Sequence, residues 1–344
     1  MKLGKSYTIR LIVVSLLLVL AFFGDVLVGS VSIPLKEVFA ILTGQGSDSS
    51  FSYIILDFRL PKALTAICVG AGLSVSGLMM QTLFRNPLAG PFVLGISSGA
   101  SLGVALYTMA AGLALGATSI FLSGTLGYVF AAIIGAALVM MLTVMVSLRV
   151  SDTVSLLIVG IMIGSITGAI VTILQYFSDP NTVHNYLVWT FGSLSGVTWH
   201  EVRIISMCFV VGISLSFMLI KSLNAILLGE NYARSIGVNS KRLRLFIIAI
   251  TSLMAGTLTG FVGPIGFIGV AVPHMARFGL GSSDHSKLMP LTALYGAMLM
   301  LVFDIISQLP GYQSTLPINA VTALFGAPVV IWVIFRSKTK KAAV

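Results

Sequence analysis

The sequence predicts an all-α polytopic membrane protein with about ten transmembrane helices and both termini cytoplasmic. Three observations carry that expectation. Of 344 residues, 57% are hydrophobic and only 9% charged, and the mean hydropathy is +1.05; a soluble domain carries roughly 25% charged residues. The apolar residues gather into runs near the ~20-residue length that crosses a hydrocarbon core. The cations divide unevenly between the loops of the two sides. With apolar side chains on every face of its helices, the chain is excluded from the soluble enzymes, nucleic-acid-binding domains and disordered proteins.

The first run, Ile9–Val28, follows Lys2, Lys5 and Arg10. It has the basic start of a signal peptide, but Phe22-Phe23-Gly24-Asp25 offers no small-x-small cleavage site, so it reads as a retained helix. The next runs are Ala63–Leu83, Phe92–Gly112, Ser119–Leu148, Val154–Tyr176, Val202–Ile220, Leu245–Val262, Phe267–Leu280, Leu288–Leu309 and Ile318–Phe335. The eighth is short and carries His274 and Arg277. With the N-terminus inside, the outer segments hold only Lys36, Arg59, Lys62 and Arg203, and the rest of the 20 Lys and Arg fall inside. Lys and Arg collect in cytoplasmic loops, and one missed or surplus helix would spoil this asymmetry. The formal charge of +10 therefore reads first as topology.

Two clusters of small residues, Gly70/Gly72/Ser76/Gly77 and Gly95/Ser98/Gly99/Gly103, predict close helix packing in lipid. Cys68 and Cys208 lie in apolar runs and read as small buried hydrophobes. No repeat or long linker divides the chain, so residues 1–344 read as one domain.

The chain has no phosphate-binding glycine loop, no H-E-x-x-H, no nucleophile elbow and no cysteine–histidine ligand cluster. No metal site and no cofactor is expected in it, and an intramembrane enzyme lacks both nucleophile and base. Ionisable groups near span centres, which ion-coupled carriers keep for function, are nearly absent; Asp304, at the outer end of the ninth run, is the one candidate for an ion-coupled secondary carrier. A transporter without such groups and without an ATP site needs energy from another subunit.

The longest inner segment, Lys221–Arg244, contains Glu230, Ala233 and Arg234 followed by Ile236-Gly237. That pattern predicts a short amphipathic helix ending at a C-cap glycine, able to lie in a groove on a cytosolic partner; a solvated basic loop is the alternative. The outer segment Asp179–His200, with His184, Trp189, Phe191, Gly192 and Trp199, fits an interfacial aromatic belt or a short outer helix. A lone His274 reads as a structural hydrogen-bonding group rather than a haem ligand.

Five segments, in order, resemble one family. They are Arg59-Leu60-Pro61-Lys62; Phe84–Pro91 with Leu94–Ala100; Leu228–Gly237; Gly263–Gly269 with Val272–Arg277; and Leu316–Ile318 with Val321–Pro328. The chain is identified by them as similar to FecCD-type permease subunits of ABC importers for iron-siderophores, haem or cobalamin. The resemblance implies a homodimer of ten-helix subunits in the cytoplasmic (inner) membrane of a bacterium. Its implied partners are two cytosolic ABC ATPase subunits, which carry the ATP and Mg, and a periplasmic or extracellular substrate-binding protein, with lipid around it and no nucleic acid. Gly229, Glu230, Ala233, Arg234, Ile236 and Gly237, within the cytoplasmic segment 221–244, are implied to couple to the ATPase. Arg59 and Lys62 are implied to dock acidic residues of the binding protein, with Lys62 and Gln308 standing where relatives carry arginine. Asn86, Pro87 and Leu88 are implied to form a cytoplasmic gate, with Asp152 and Thr153 as a second one. The implied cargo is a metal chelate, most simply a ferric siderophore.

Overall fold

A computed structural model describes residues 2–44, 50–91, 95–110, 125–147, 149, 153–308 and 315–342, and all regular structure among them is helical. In order the helices are α1 (Lys2–Leu27), α2 (Leu35–Leu42), α3 (Ser50–Leu83), α4 (Ile96–Ala105, prolonged by a π-helical turn over Leu106–Ala110), α5 (Thr125–Ser147), α6 (Thr153–Phe177) and α7 (Pro180–Phe191). They continue as α8 (Trp199–Met218), α9 (Ile220–Leu227), α10 (Glu230–Ser235), α11 (Ser240–Val262), α12 (Ile268–Leu280), α13 (His285–Ser307) and α14 (Ile318–Ala342).

Each of the ten apolar runs overlaps a helix among the described residues; parts of Phe92–Gly112, Ser119–Leu148 and Leu288–Leu309 lie outside them, and Val202–Ile220 runs from α8 into the first residue of α9. Among the described residues, α1, α3, α6, α8, α11 and α13 are long and apolar enough to cross a membrane. Two shorter apolar stretches, Gly127–Thr143 and Ile318–Trp332, lie in α5 and α14. The 13 residues of α12 rise only about 20 Å, less than a hydrocarbon core of ~30 Å. The second helix starts earlier than its apolar run. Pro61 has no N–H and its ring crowds the carbonyl one turn back, and the chain accommodates it by widening into a π turn over Ile54–Arg59. Such turns relieve a helix at the site of a disruption.

α3 is the hub. Of its apolar window 89% is buried, against 22% for those of α1, α6 and α8. It packs on α8, α11, α12 and α13. The small-residue cluster predicted for close packing makes this possible. A Cβ on Gly70 would fall on the carbonyl oxygen of Gly296 in α13, and one on Gly77 on that of Gly269 in α12. The second cluster does the same for α4 and α5, where Gly99 faces the carbonyl of Gly135. Between helices in lipid there is no hydrophobic driving force, so such backbone approach supplies the van der Waals contact that holds them together. α6 instead turns Ile161, Ile166 and Ile173 outward.

Candidate functional site

At the predicted outer end, Arg59 and Lys62 lie inside the fold. They are 5% and 6% exposed, and each is engaged within the chain. Lys62 Nζ lies 2.7 Å from Asp304 Oδ2 and 3.5 Å from Asp25 Oδ1. Gln308 Nε2 donates to the same two carboxylates, at 2.9 Å to Asp304 and 3.1 Å to Asp25; an amide nitrogen has two hydrogens, one for each. Arg59 donates to the carbonyls of Val26 at 2.9 Å, Leu27 at 2.7 Å and Val31. It thereby satisfies carbonyls at the end of α1 that have no partner within the helix. The outer cations therefore fasten α1 to α3 and α13. Two buried carboxylates share one ammonium, and Asp304, the sole candidate for ion coupling, is ion-paired.

A cavity of about 470 Å³ opens between α4, α6 and α7, with Pro264 and Asn319 at its end. Its lining is mixed: hydroxyls of Ser97, Ser98 and Ser101 from α4, Thr167 from α6, and Tyr186 and Thr190 from α7 stand among apolar surface that includes Val171 and Phe191. Among the described residues its wall carries no charged side chain. Of these hydroxyls, Thr167 donates within the protein to Gly164 and Thr190 to Leu187, and both keep lone pairs able to accept. The arrangement offers many weak, neutral contacts and no strong one.

The short outer helix anticipated over Asp179–His200 is α7, and it supplies part of this wall. Asp179 caps it, accepting from the backbone of Asn181 and Thr182, and Thr182, through its side chain and backbone, holds the Asp179 carboxyl below the usual range. Trp189 donates to the carbonyl of Gly260 at 3.3 Å and Trp199 to that of Leu56 at 2.9 Å. His184 is exposed.

At the inner end, the predicted amphipathic helix is α10, six residues long. It ends as expected. Gly237 has φ +87°, Val238 N–H bonds the carbonyl of Ala233 at 2.9 Å and Gly237 N–H that of Arg234 at 3.0 Å. This pair of bonds is a Schellman closure, which needs a residue at ease in the left-handed region. Ala233 is fully buried and seats the helix. Glu230 and Arg234 form an exposed i,i+4 ion pair at 2.9 Å, of the sort that adds little stability. Sequence reading named Ile236 but missed the exposed side chains of Leu228 and Tyr232 beside it. Leu228, Tyr232 and Ile236 are 70%, 47% and 55% exposed; Tyr232 and Ile236, four apart, share one face of the α10 turn, and Leu228 precedes it across Gly229.

The loop after α3 carries the first predicted gate. Asn86 is buried, and its Oδ1 accepts the N–H of Leu88 at 2.9 Å. Pro87 presents its carbonyl to His274 Nε2 at 2.6 Å. His274 thus has the structural hydrogen bond expected of it, and ties α12 to the loop. Gly90 packs against Val270. Asp152 lies outside the described residues; Thr153 is the first residue of α6.

Among the described residues no group of three His, Cys, Asp or Glu could hold a metal. Cys68 is buried 3.9 Å from Ser206, and both Cys68 and Cys208 are free.

Residues 16–336 match the FecCD transport family. The chain is 32% identical to the hemin transport system permease protein HmuU of Yersinia pestis, covering 95% of each. It is 35% identical to the vitamin B12 import system permease protein BtuC of Citrobacter koseri over 83% of each. A solved structure described as an inward-facing conformation of a metal-chelate type ABC transporter superimposes with a TM-score of 0.80 and 28% identity, over 95% of this chain and 98% of that one. These similarities agree with a multi-pass subunit of the cytoplasmic membrane. With apolar helices around a charge-free cavity and an inner face built on Leu228–Gly237, the chain belongs to the FecCD transport family.

Proposed function

We propose that this chain is a permease subunit of a type II ABC importer and forms half of the path by which a metal chelate, a ferric siderophore in the first instance, enters the cell. The charge-free cavity beside α6 is the observation that carries this reading. A path must let its cargo leave as readily as it enters, and a charge-free wall of scattered hydroxyls and apolar surface fits release while an external binding protein does the selecting. The outward apolar stripe of α6 borders this cavity, and a second copy of the chain is the proposed partner that closes it.

The energy enters at α10. Two ABC ATPase subunits, each carrying its own ATP and Mg, are proposed to receive this helix in a groove. Gly229 and Gly237 bound the helix, Ala233 seats it, and Glu230, Arg234 and Ile236 face the partner with Leu228 and Tyr232. ATP then drives alternating access only if it favours one state of the assembly over the other, since equal affinity for both shifts nothing. The loop Asn86–Leu88, and with it Asp152 and Thr153, is the proposed inner gate. The external binding protein docks on the outer face. Arg59 and Lys62 contribute to that face by holding its helices together, because their own charges are already met inside the chain.

Burial of a helix ridge in a groove concentrates binding energy in a few large side chains. Tyr232→Ala is expected to weaken retention of the ATPase in detergent roughly tenfold, measured by the ATPase recovered with the permease. Retention equal to that of the unaltered chain would remove α10 from the interface.

The cargo is tested by uptake into vesicles holding the permease, its ATPase and its binding protein. Uptake of a labelled ferric siderophore should persist in the presence of excess haem or cobalamin. Competition by either would transfer the assignment to that ligand.

A further inference from the structure

A polar relay, half-buried at Asn224 and buried at His285 and Thr82, lies between α9 and the end of α3. Asn224, on α9, accepts twice through Oδ1: from the backbone N–H of His285 at 2.9 Å and from the His285 ring Nδ1 at 2.8 Å. Its Nδ2 donates to Asp284 Oδ1 at 2.8 Å. Asp284 is in turn the cap of α13, accepting the N–H of Ser286 at 3.0 Å. These contacts fix the amide orientation, because turning it over would aim its NH2 at the N–H of His285. They also locate a ring proton. An amide oxygen carries no hydrogen, so Nδ1 must supply it.

On the other side of the ring, Nε2 lies 2.8 Å from Thr82 Oγ1, in the last turn of α3. In the neutral ring this nitrogen is an acceptor for the Thr82 hydroxyl, whose single hydrogen is contested by the Leu78 carbonyl at 2.9 Å one turn back. His285 is fully buried and Thr82 nearly so, so water cannot replace either partner. A second contact runs beside the first. Arg85, held at φ +47° just beyond α3, donates through Nη2 to the carbonyl of Ile226, in the last turn of α9, at 3.3 Å.

α9 is anchored by buried Leu223, Ala225 and Ile226, and only Leu228 and Gly229 separate it from α10. A displacement of α10 therefore reaches α9 directly. From α9 it meets two polar connections, one on each side of the junction between α3 and the Asn86–Leu88 loop. Sliding past the His285–Thr82 contact would strand the buried ring nitrogen Nε2, which favours movement as a unit, and the exposed Arg85 adds a weaker contact alongside it.

We propose that the Asn224–His285–Thr82 relay, together with the Arg85–Ile226 contact, is the linkage that carries displacement of α10 into the Asn86–Leu88 gate. Asn224, His285, Thr82 and Arg85 are positioning residues for transport. The proposal rests on α10 being the ATPase contact.

The test uses vesicles holding the complete transporter and reads uptake and ATP hydrolysis together. Asn224→Ala and Thr82→Val are each expected to lower uptake per ATP hydrolysed roughly tenfold, within the range of coupling changes along such networks. Thr82→Ser keeps the hydroxyl and should retain coupling close to that of the unaltered chain. Thr82→Val is nearly isosteric, so the Thr82 pair decides the matter even if Asn224→Ala fails to fold. Undiminished uptake per ATP in Thr82→Val, or an equal loss in Thr82→Ser, would overturn the linkage. A failure here stays distinct from failure of the α10 reading: in the first case Tyr232→Ala still releases the ATPase, in the second it does not.

Discussion

Lys62→Met is expected to destabilise the chain by about 3–5 kcal/mol, the usual result of removing one partner from a buried ion pair. Asp25 is fully buried and Asp304 3% exposed, and Lys62 is the cation between them. Without it, the Gln308 amide would have to hold two carboxylates together alone. Much of the cost comes from stranded charge, so it should be recoverable. Adding Asp25→Asn and Asp304→Asn to Lys62→Met is expected to restore most of the stability, as coupled sites in one network do. Unfolding followed in detergent checks both variants. A Lys62→Met chain as stable as the unaltered one would show that the cluster does not fasten α1 to α3 and α13.

Gly77→Leu is the second large effect. Even the Cβ at this position would fall on the carbonyl oxygen of Gly269, which is backbone and cannot rotate away. α3 and α12 must then separate along their contact, and overpacking of this sort costs about 3 kcal/mol or more. Gly168→Ala is the control, since a Cβ there meets nothing within 4 Å. Thermal unfolding in detergent should show a large drop for Gly77→Leu and little change for Gly168→Ala. A small change for Gly77→Leu would mean that α3 does not depend on this approach.

The two results probe features that were unequally visible in the sequence. Close packing was legible, because glycine and serine at helical spacing within apolar runs have few other uses, and Gly70, Gly77 and Gly99 each meet another helix. The ten runs were legible for the same reason: hydropathy is a local property. α10 was legible in outline, since Gly237 announces its end. The exposure of Leu228 and Tyr232 was not, because they look like ordinary apolar residues until Ala233 shows which side is buried.

The partners of the outer cations were not legible in the sequence. Loop charges were treated as markers of topology, whereas Lys62 and Asp25 are 37 residues apart and Gln308 and Asp25 are 283 apart. Only folding brings them together. The cavity was invisible for the same reason. Its hydroxyls come from α4, α6 and α7, and α4 lies far from the other two in sequence. The relay through Asn224, His285 and Thr82 likewise joins three helices distant in sequence.

The source of energy for uptake is the most direct test of the whole account. In sealed vesicles holding the permease, its ATPase and its binding protein, uptake of the chelate should require ATP hydrolysis and continue when an uncoupler abolishes the proton gradient. Uptake by the permease alone, driven by an imposed ion gradient and lost on adding the uncoupler, would contradict it.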